Sequence, residues 1–338
     1  MTRKVAMAAV GLMAAFALGM PTWAAAQSSG QTPAQTSGQA WPSRTVTIVV
    51  PFPPGGGVDV IARIVAERLS ASLKATVVVE NRGGGGGTVG TRQIAKAAPD
   101  GYTLMLAHTG TISINPSLYA NAGFDPRKDF TAIGMIASMP VAMIAHPSFP
   151  AKTVAEVIEI AKKEPGKLNF GTSAIGTGGY LTAEYFKSAA NIQMQIVPYR
   201  GTAPLMNDLL GGHVPVSFGV LPPAMGTLAV GKLRAIAVTG TRRFSLLPDV
   251  PTAAESGLPG FDSVLLYGLI GPAGMPRDIV DRLNKELRAM AETDLVKQRV
   301  LAEGGDVAPS SPEEYAQVID REETKWSTLI RKLNLKVE

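Results

Sequence analysis

The sequence predicts an α/β fold organised as two units, and three observations carry that expectation. Strand-like and helix-like segments alternate from Val46 onwards. A strand–helix order with glycine-rich loops after the strands occurs in an early block and again in a later one. Residues 43–338 are long for one open sheet and natural for two domains. Of the 338 residues, 46% are hydrophobic and 17% charged, which supplies real cores and excludes a coiled coil or a disordered tail protein.

The first block opens with Val46–Val50, a strand by its β-branched content. After a turn-rich loop, Val58, Ile61, Ala62, Val65 and Leu69 recur at helical spacing and predict a helix to about Leu73. Thr76–Val79 reads as a second strand. A glycine run, a short helix over Val89–Ala97 and a Pro99-Asp100-Gly101 turn lead to a third strand, Tyr102–Leu106. This βαβαβ order predicts a parallel sheet. In the second block Thr153 and Glu156 form a capping box, and Pro165-Gly166 ends the helix it opens. Leu168–Phe170 is a strand, Gly171–Gly179 a glycine-rich loop, Tyr180–Ala189 a helix and Met194–Val197 a strand. Thr202 is expected to cap a short helix carrying Leu205 and Leu209. Val214–Phe218, Leu233–Val238 and Val264–Ile270 read as strands and Pro276–Met290 as a helix. Ser311-Pro312-Glu313-Glu314 orders a cap, an N1 proline and a capping-box Glu ahead of the last helix. No long linker separates the units, so the chain is expected to cross between them on strands near Met139–Ala145 and Val264–Ile270.

Residues 1–26 read as a secretory signal peptide. Arg3 and Lys4 are the basic start, Val5–Met20 the apolar run and Ala24-Ala25-Ala26 the small-residue cleavage site. The run is short for a membrane span, and Pro21 interrupts it. Residues 27–42 are uncharged and low in complexity, a flexible leader. The expected location is the periplasm. Losing Arg3 and Lys4 takes the formal net charge from +5 to +3. The remaining basic residues mostly neighbour acidic ones, as in Arg63/Glu67, so no nucleic-acid partner is expected. Cysteine is absent, which excludes disulfides, thiolate metal sites, a cysteine nucleophile and a lipid anchor on cysteine. His108, His146 and His213 lack metal-ligand spacing and read as turn or surface residues, so neither a metal nor a cofactor is expected.

The loops carry the chemistry. Pro51–Asp59 combines stiffening prolines with glycines and ends at a helix N-terminus, where unpaired amides favour a carboxylate or phosphate. Asp59 itself reads equally well as a structural cap. Gly85, Gly87 and Gly90 match a dinucleotide fingerprint, but no ribose-binding acid follows, and a tight turn is the preferred reading. Gly171–Gly179 is a second amide cradle with added hydroxyls. It misses the nucleophile elbow because two residues separate Ser173 from Gly176. Thr109-Gly110-Thr111 and Pro198–Thr202 follow strand ends, where open α/β sheets hold ligands. Tyr199 could stack on or hydrogen-bond a ligand. Arg200 could pair with a carboxylate or simply face solvent, and Asp208 could order a water or a ligand amine or face solvent.

These loops sit within a longer series of matches. Val49–Gly56, Val79-Glu80-Asn81-Arg82, Ala98–Leu104, Ile114–Tyr119, Val197–Gly201, Asp208–Gly212, Leu246–Thr252 and Gly271-Pro272-Ala273-Gly274 occur in order. With them the chain resembles the Bug/TctC-type extracytoplasmic solute receptors of tripartite tricarboxylate transporters, over essentially all of Trp41–Glu338. The resemblance implies a two-domain Venus-flytrap, the type II periplasmic binding protein fold. It places one domain at 43–141 with 266–338, the other at 142–265 and the ligand in the cleft between them. It implies that a small organic carboxylate is held by backbone amides, hydroxyls and waters from Phe52, Gly55, Gly56, Asp59, Thr109, Thr111, Ser173, Ala174, Gly176, Thr177, Gly178, Tyr199, Thr202 and Asp208. The implied partners are the permease subunits of such a transporter, with the receptor a monomer. Three positions depart from the family pattern: Gly219-Val220 where a polar pair is common, Tyr180 where a His is common, and the unbroken run Gly83–Gly87. Loss of the polar pair disfavours an amino-acid ligand and favours a di- or tricarboxylate or an aromatic carboxylate. The alternatives are a periplasmic carboxylate sensor for a two-component system and an exported serine hydrolase using Ser173.

Overall fold

A computed structural model describes residues 41–173 and 177–336. The signal peptide and most of the leader predicted above lie outside the described residues. In chain order the first half comprises β1 (Val46–Val50), α1 (Gly57–Leu73), β2 (Val77–Asn81), α2 (Thr88–Ala95), β3 (Thr103–His108), α3 (Asn115–Leu118) and β4 (Phe130–Ala145). Then come α4 (Val154–Lys163), β5 (Asn169–Thr172), α5 (Gly178–Ala189), β6 (Gln195–Pro198), α6 (Thr202–Leu210), β7 (Val216–Val220), α7 (Pro222–Ala229) and β8 (Arg234–Val238). The chain finishes with β9 (Val264–Pro272), α8 (Arg277–Ala291), α9 (Asp294–Ala302), β10 (Asp306–Val307) and α10 (Pro312–Lys332).

The sheet runs β2-β1-β3-β9-β4-β7-β5-β6, with β8 and β10 also on β4. The expected parallel pairing holds within two trios. β1 lies parallel to β2 and β3, and β5 parallel to β6 and β7. Between the trios β9 and β4 run antiparallel to their neighbours, so the whole sheet is mixed. β4 has 16 residues, beyond the usual strand length. Its first part, Phe130–Pro140, pairs with β9, and Val141–Ala145 pairs with β7 and β8. Pro140 stands at the exchange of partners, where a residue without an N–H costs the ladder least. The Thr239 hydroxyl accepts the Val141 amide at 3.1 Å and binds the start of the second half in place.

The two largest apolar clusters lie on different parts of the sheet. Ile48, Ile61, Leu69, Leu104, Leu269 and Leu283 belong to one cluster, and Met143, Val157, Phe170, Phe186, Phe218 and Ile236 to another. The spacing that predicts α1 is the one that buries Ile61, Val65 and Leu69, and α8 buries Ile279, Leu283 and Leu287 in the same way. Both capping boxes form, with Thr153 Oγ1 accepting the Glu156 amide at 3.2 Å and Ser311 Oγ accepting the Glu314 amide at 3.1 Å. The expected Thr202 cap does not form. Gly201, at φ 119°, occupies the cap position and Thr202 becomes the first helical residue. Among the described residues no helix is long and apolar enough to cross a membrane.

Candidate functional site

One cavity of about 320 Å³ gathers the glycine-rich loops. Phe52 reaches it from the loop after β1, and Gly86 from the glycine run. His108 and Gly110 reach it from the end of β3, and Asn115 and Tyr119 from α3 and the residue after it. Ser173, Thr177, Gly178 and Gly179 come from the loop after β5, and Thr202 from the start of α6. Ile144, Leu205, Met206, Leu209, Ser217, Phe218, Gly219, Val220 and Leu265 complete the wall.

The polar side is built from two helix starts. Thr177 is the N-cap of α5, and its Oγ1 accepts the Tyr180 amide at 3.4 Å. The Gly178 and Gly179 amides fall in the first turn and have no intrahelical acceptor. Their dipole end favours an anion. The Ser173 hydroxyl is 3.4 Å from Thr177 Oγ1, and the Ser173 carbonyl accepts the Gly201 amide at 2.8 Å, which ties the two loops together. Two glycines are required by close approach. A Cβ on Gly178 would stand 2.6 Å from a Leu265 methyl, and one on Gly179 would stand 2.5 Å from the Phe218 carbonyl oxygen.

The opposite side is stiff. Asp59 is 3% exposed, and its carboxylate accepts the Gly55 amide at 3.0 Å, Asn81 Nδ2 at 2.9 Å and both Nε and Nη2 of Arg63. Burial pushes its carboxyl up, and the bonds from Arg63, Gly55 and Asn81 outweigh this and hold it below the usual carboxylate range. Asn81 Nδ2 also donates to the Phe52 carbonyl at 3.1 Å. Asp59 thus anchors the loop that carries Phe52 and does not line the cavity. Gly55 and Gly56 are exposed on the same loop, also off its wall. Thr109 and Thr111 are buried, and their hydroxyls serve the backbone. Thr109 Oγ1 accepts the Leu266 amide at 2.9 Å, and Thr111 Oγ1 donates to the His108 carbonyl at 3.0 Å.

Tyr199 donates to Asp208 Oδ2 at 2.8 Å, and this pair braces α6 away from the cavity wall. Desolvation, then the bond to Asp208, pushes the Tyr199 phenol up to about 12. Arg200 is exposed and off the wall. Ala174 and Gly176 lie outside the described residues. Of the expected site residues the cavity therefore brings together Phe52, Ser173, Thr177, Gly178 and Thr202.

His108 corrects the reading of the three histidines as turn or surface residues. It lines the cavity, and its ring stacks on Phe52 at 5.0 Å and 9° and tilts against Tyr267 at 5.7 Å. Its Nδ1 accepts the Gly110 amide at 2.7 Å, so the neutral ring carries its proton on Nε2. Desolvation pushes its pKa down to about 4. The signal for it was positional, the last residue of a strand that ends at the ligand edge of a parallel trio. Asn115 and Tyr119 were also missed as site residues, although they lie in a quoted motif. Asn115 Nδ2 donates to the Gly86 carbonyl at 2.8 Å and fixes the glycine run. Among the described residues no nucleophile–base pair forms, since Ser173 bonds to Thr177 and His108 Nδ1 to an amide. No group of residues there could hold a metal ion.

The chain matches the family model described as tripartite tricarboxylate transporter family receptor over residues 61–335. It is 31% identical to protein BugT of Bordetella pertussis over 306 residues, covering 90% of this chain and 94% of that one. Among solved structures it is similar to Rpa4515 of R. palustris with adipate, at 33% identity and TM-score 0.75, covering 88% of this chain and all of that one. It is similar also to MatC of Rhodopseudomonas palustris with bound malate, at 32% identity and TM-score 0.71, covering 86% and 99%. The fold is accordingly the two-domain α/β fold of periplasmic solute-binding proteins. The chain belongs to the tripartite tricarboxylate transporter receptor family, a family of solute-binding receptors and not of enzymes.

Proposed function

We propose that this chain is a periplasmic receptor that captures a small organic carboxylate in the cavity and delivers it to the permease subunits of a tripartite tricarboxylate-type transporter. One observation carries the reading. The N-termini of α5 and α6 and the hydroxyls of Ser173, Thr177 and Thr202 meet on one cavity, and no Lys, Arg, Asp or Glu side chain lines it among the described residues. Amides and hydroxyls can hold a carboxylate through charge-assisted hydrogen bonds without a fixed counter-ion. The absence of an acidic side chain removes the partner that an amino acid's ammonium would require.

In this reading residues 43–141 with 266–338 form one lobe and 142–265 the other, and the receptor works as a monomer. Phe52, Ser173, Thr177, Gly178 and Thr202 touch the ligand, with Ala174 and Gly176 completing the loop. Gly55, Gly56, Asp59, Thr109, Thr111, Tyr199 and Asp208 shape the loops that do so. Closure around the ligand shifts an open–closed equilibrium by the ligand's differential affinity for the closed form. The adipate and malate bound by the two relatives are carboxylates, in keeping with this chemistry.

The test is thermal unfolding of the protein without its leader, refolded to strip ligand, against carboxylates, acidic amino acids and neutral sugars. A ligand at a hundred times its dissociation constant adds about 2.7 kcal/mol. A shift with a carboxylate is expected. A shift with neutral compounds alone would overturn the reading.

A further inference from the structure

We infer that the ligand is a monocarboxylate with an apolar body, an aromatic ring or a branched aliphatic chain, and not a di- or tricarboxylate. This rests on the receptor reading and goes further by naming the class.

The wall is asymmetric. The groups fit to hold a carboxylate, the Ser173 and Thr177 hydroxyls and the α5 first-turn amides, lie together where the loop after β5 enters its helix. Among the described residues the rest of that half of the wall is mainly hydrocarbon, with Thr202 and Ser217 as its other hydroxyls. Ile144 and Phe218 are each 1% exposed, Leu205 is 2% exposed, and Met206 and Leu265 are half-buried. At the end of β7, Gly219 and Val220 face the cavity, and neither brings a polar side chain there. A second carboxylate lying against this wall would lose its hydration and meet at most the separate Thr202 and Ser217 hydroxyls, fewer donors than the α5 start offers the first.

The facing half offers two polar side chains besides Asn115, whose amide nitrogen is engaged by the Gly86 carbonyl. These are the His108 ring, with Nε2–H as its donor, and Tyr119. Both are uncharged donors, and the His108 ring is backed by Phe52. They suit the polar edge of a substituent, or a π-face, better than a full negative charge. An apolar body gains affinity along this wall, about fourfold for each methylene buried.

The experiment measures dissociation constants by titration calorimetry on the ligand-stripped protein. The probes are acetate, phenylacetate and cyclohexanecarboxylate on one side and succinate, adipate and citrate on the other. The expected result is at least thirtyfold tighter binding of phenylacetate or cyclohexanecarboxylate than of acetate, and tighter binding of one of them than of every polycarboxylate. Met206→Gln keeps the length of the side chain and makes its end polar. It should weaken the apolar acid at least threefold and leave the unfolding temperature of the empty protein within about a degree. If succinate, adipate or citrate binds more tightly than both apolar acids, this inference is overturned while the receptor reading stands. If no carboxylate of either kind binds, both are overturned.

Discussion

His108 Nδ1 accepts the Gly110 amide at 2.7 Å, and that bond decides what the imidazole can offer the cavity. With Nδ1 taken, the neutral ring has Nε2–H as its donor. Burial holds the folded pKa at about 4, below the unfolded value of about 6.5. The unfolded chain therefore takes up this proton first as the pH falls. The contribution of His108 to stability is intact above about pH 6.5, declines between about 6.5 and about 4, and is constant below that. His108→Asn retains an acceptor for the Gly110 amide and does not titrate. Urea midpoints at several pH values should show the wild type losing about 1–3 kcal/mol more than the variant across that interval. Parallel curves would mean that the ring is solvated.

Asp59 holds the loop opposite. Asp59→Ala leaves the Gly55 amide, Asn81 and Arg63 without their common acceptor. Arg63 is half exposed and recovers water, so the cost is about 1–3 kcal/mol and not that of a fully buried pair. Ligand affinity should fall with it, because Asn81 also holds the Phe52 carbonyl. Its folded pKa is depressed, so this stabilisation is present above about pH 4 and is lost as the pH falls through the folded value. Chemical unfolding and calorimetry on the one variant check both statements.

Gly179 reports on the carboxylate cradle. A Cβ there would meet the Phe218 carbonyl, so Gly179→Ala must move the start of α5 away from β7. The expected outcome is about tenfold weaker carboxylate binding and a stability loss of about 1–3 kcal/mol. Gly226→Ala is the contrast. It lies within α7 with open space around its Cβ position, and it should gain about 0.5–1 kcal/mol with binding unchanged. Equal effects at the two sites would remove the packing argument.

Much of this architecture was legible in the sequence because its signals are local. Val46–Val50, the apolar spacing of α1 and the two capping boxes each state an element within a few residues. The glycine-rich loops were legible as loops, and that located the cavity. What each side chain does inside the loops was not. Thr109, Thr111, Asp59, Tyr199 and Asp208 have the right chemistry to touch a ligand, yet each has a partner within the protein that claims its polar group first. Thr109 bonds the amide of Leu266, far along the chain. His108 failed in the opposite direction, since its last-of-strand position becomes a cavity wall only once β3 pairs with β9 and Tyr267 arrives beside it. The antiparallel β9–β4 join is non-local in the same way.

Tyr199 and Asp208 separate support from contact. Their 2.8 Å bond spans the loop before α6 and the body of that helix, and neither residue lines the cavity. Tyr199→Phe removes one hydrogen bond and leaves Asp208 partly exposed to water, so the cost should be about 1 kcal/mol. Carboxylate affinity should change less than about twofold, about 0.4 kcal/mol on the binding scale. The folded phenol is raised to about 12 from about 10, so its contribution is complete below pH 10 and is lost as the pH rises through about 12. The variant should therefore lose stability less steeply than the wild type over that alkaline interval. If Tyr199→Phe weakens binding tenfold while barely lowering the unfolding temperature, the phenol reaches the ligand directly, and α6 closes further over the cavity than the geometry here implies.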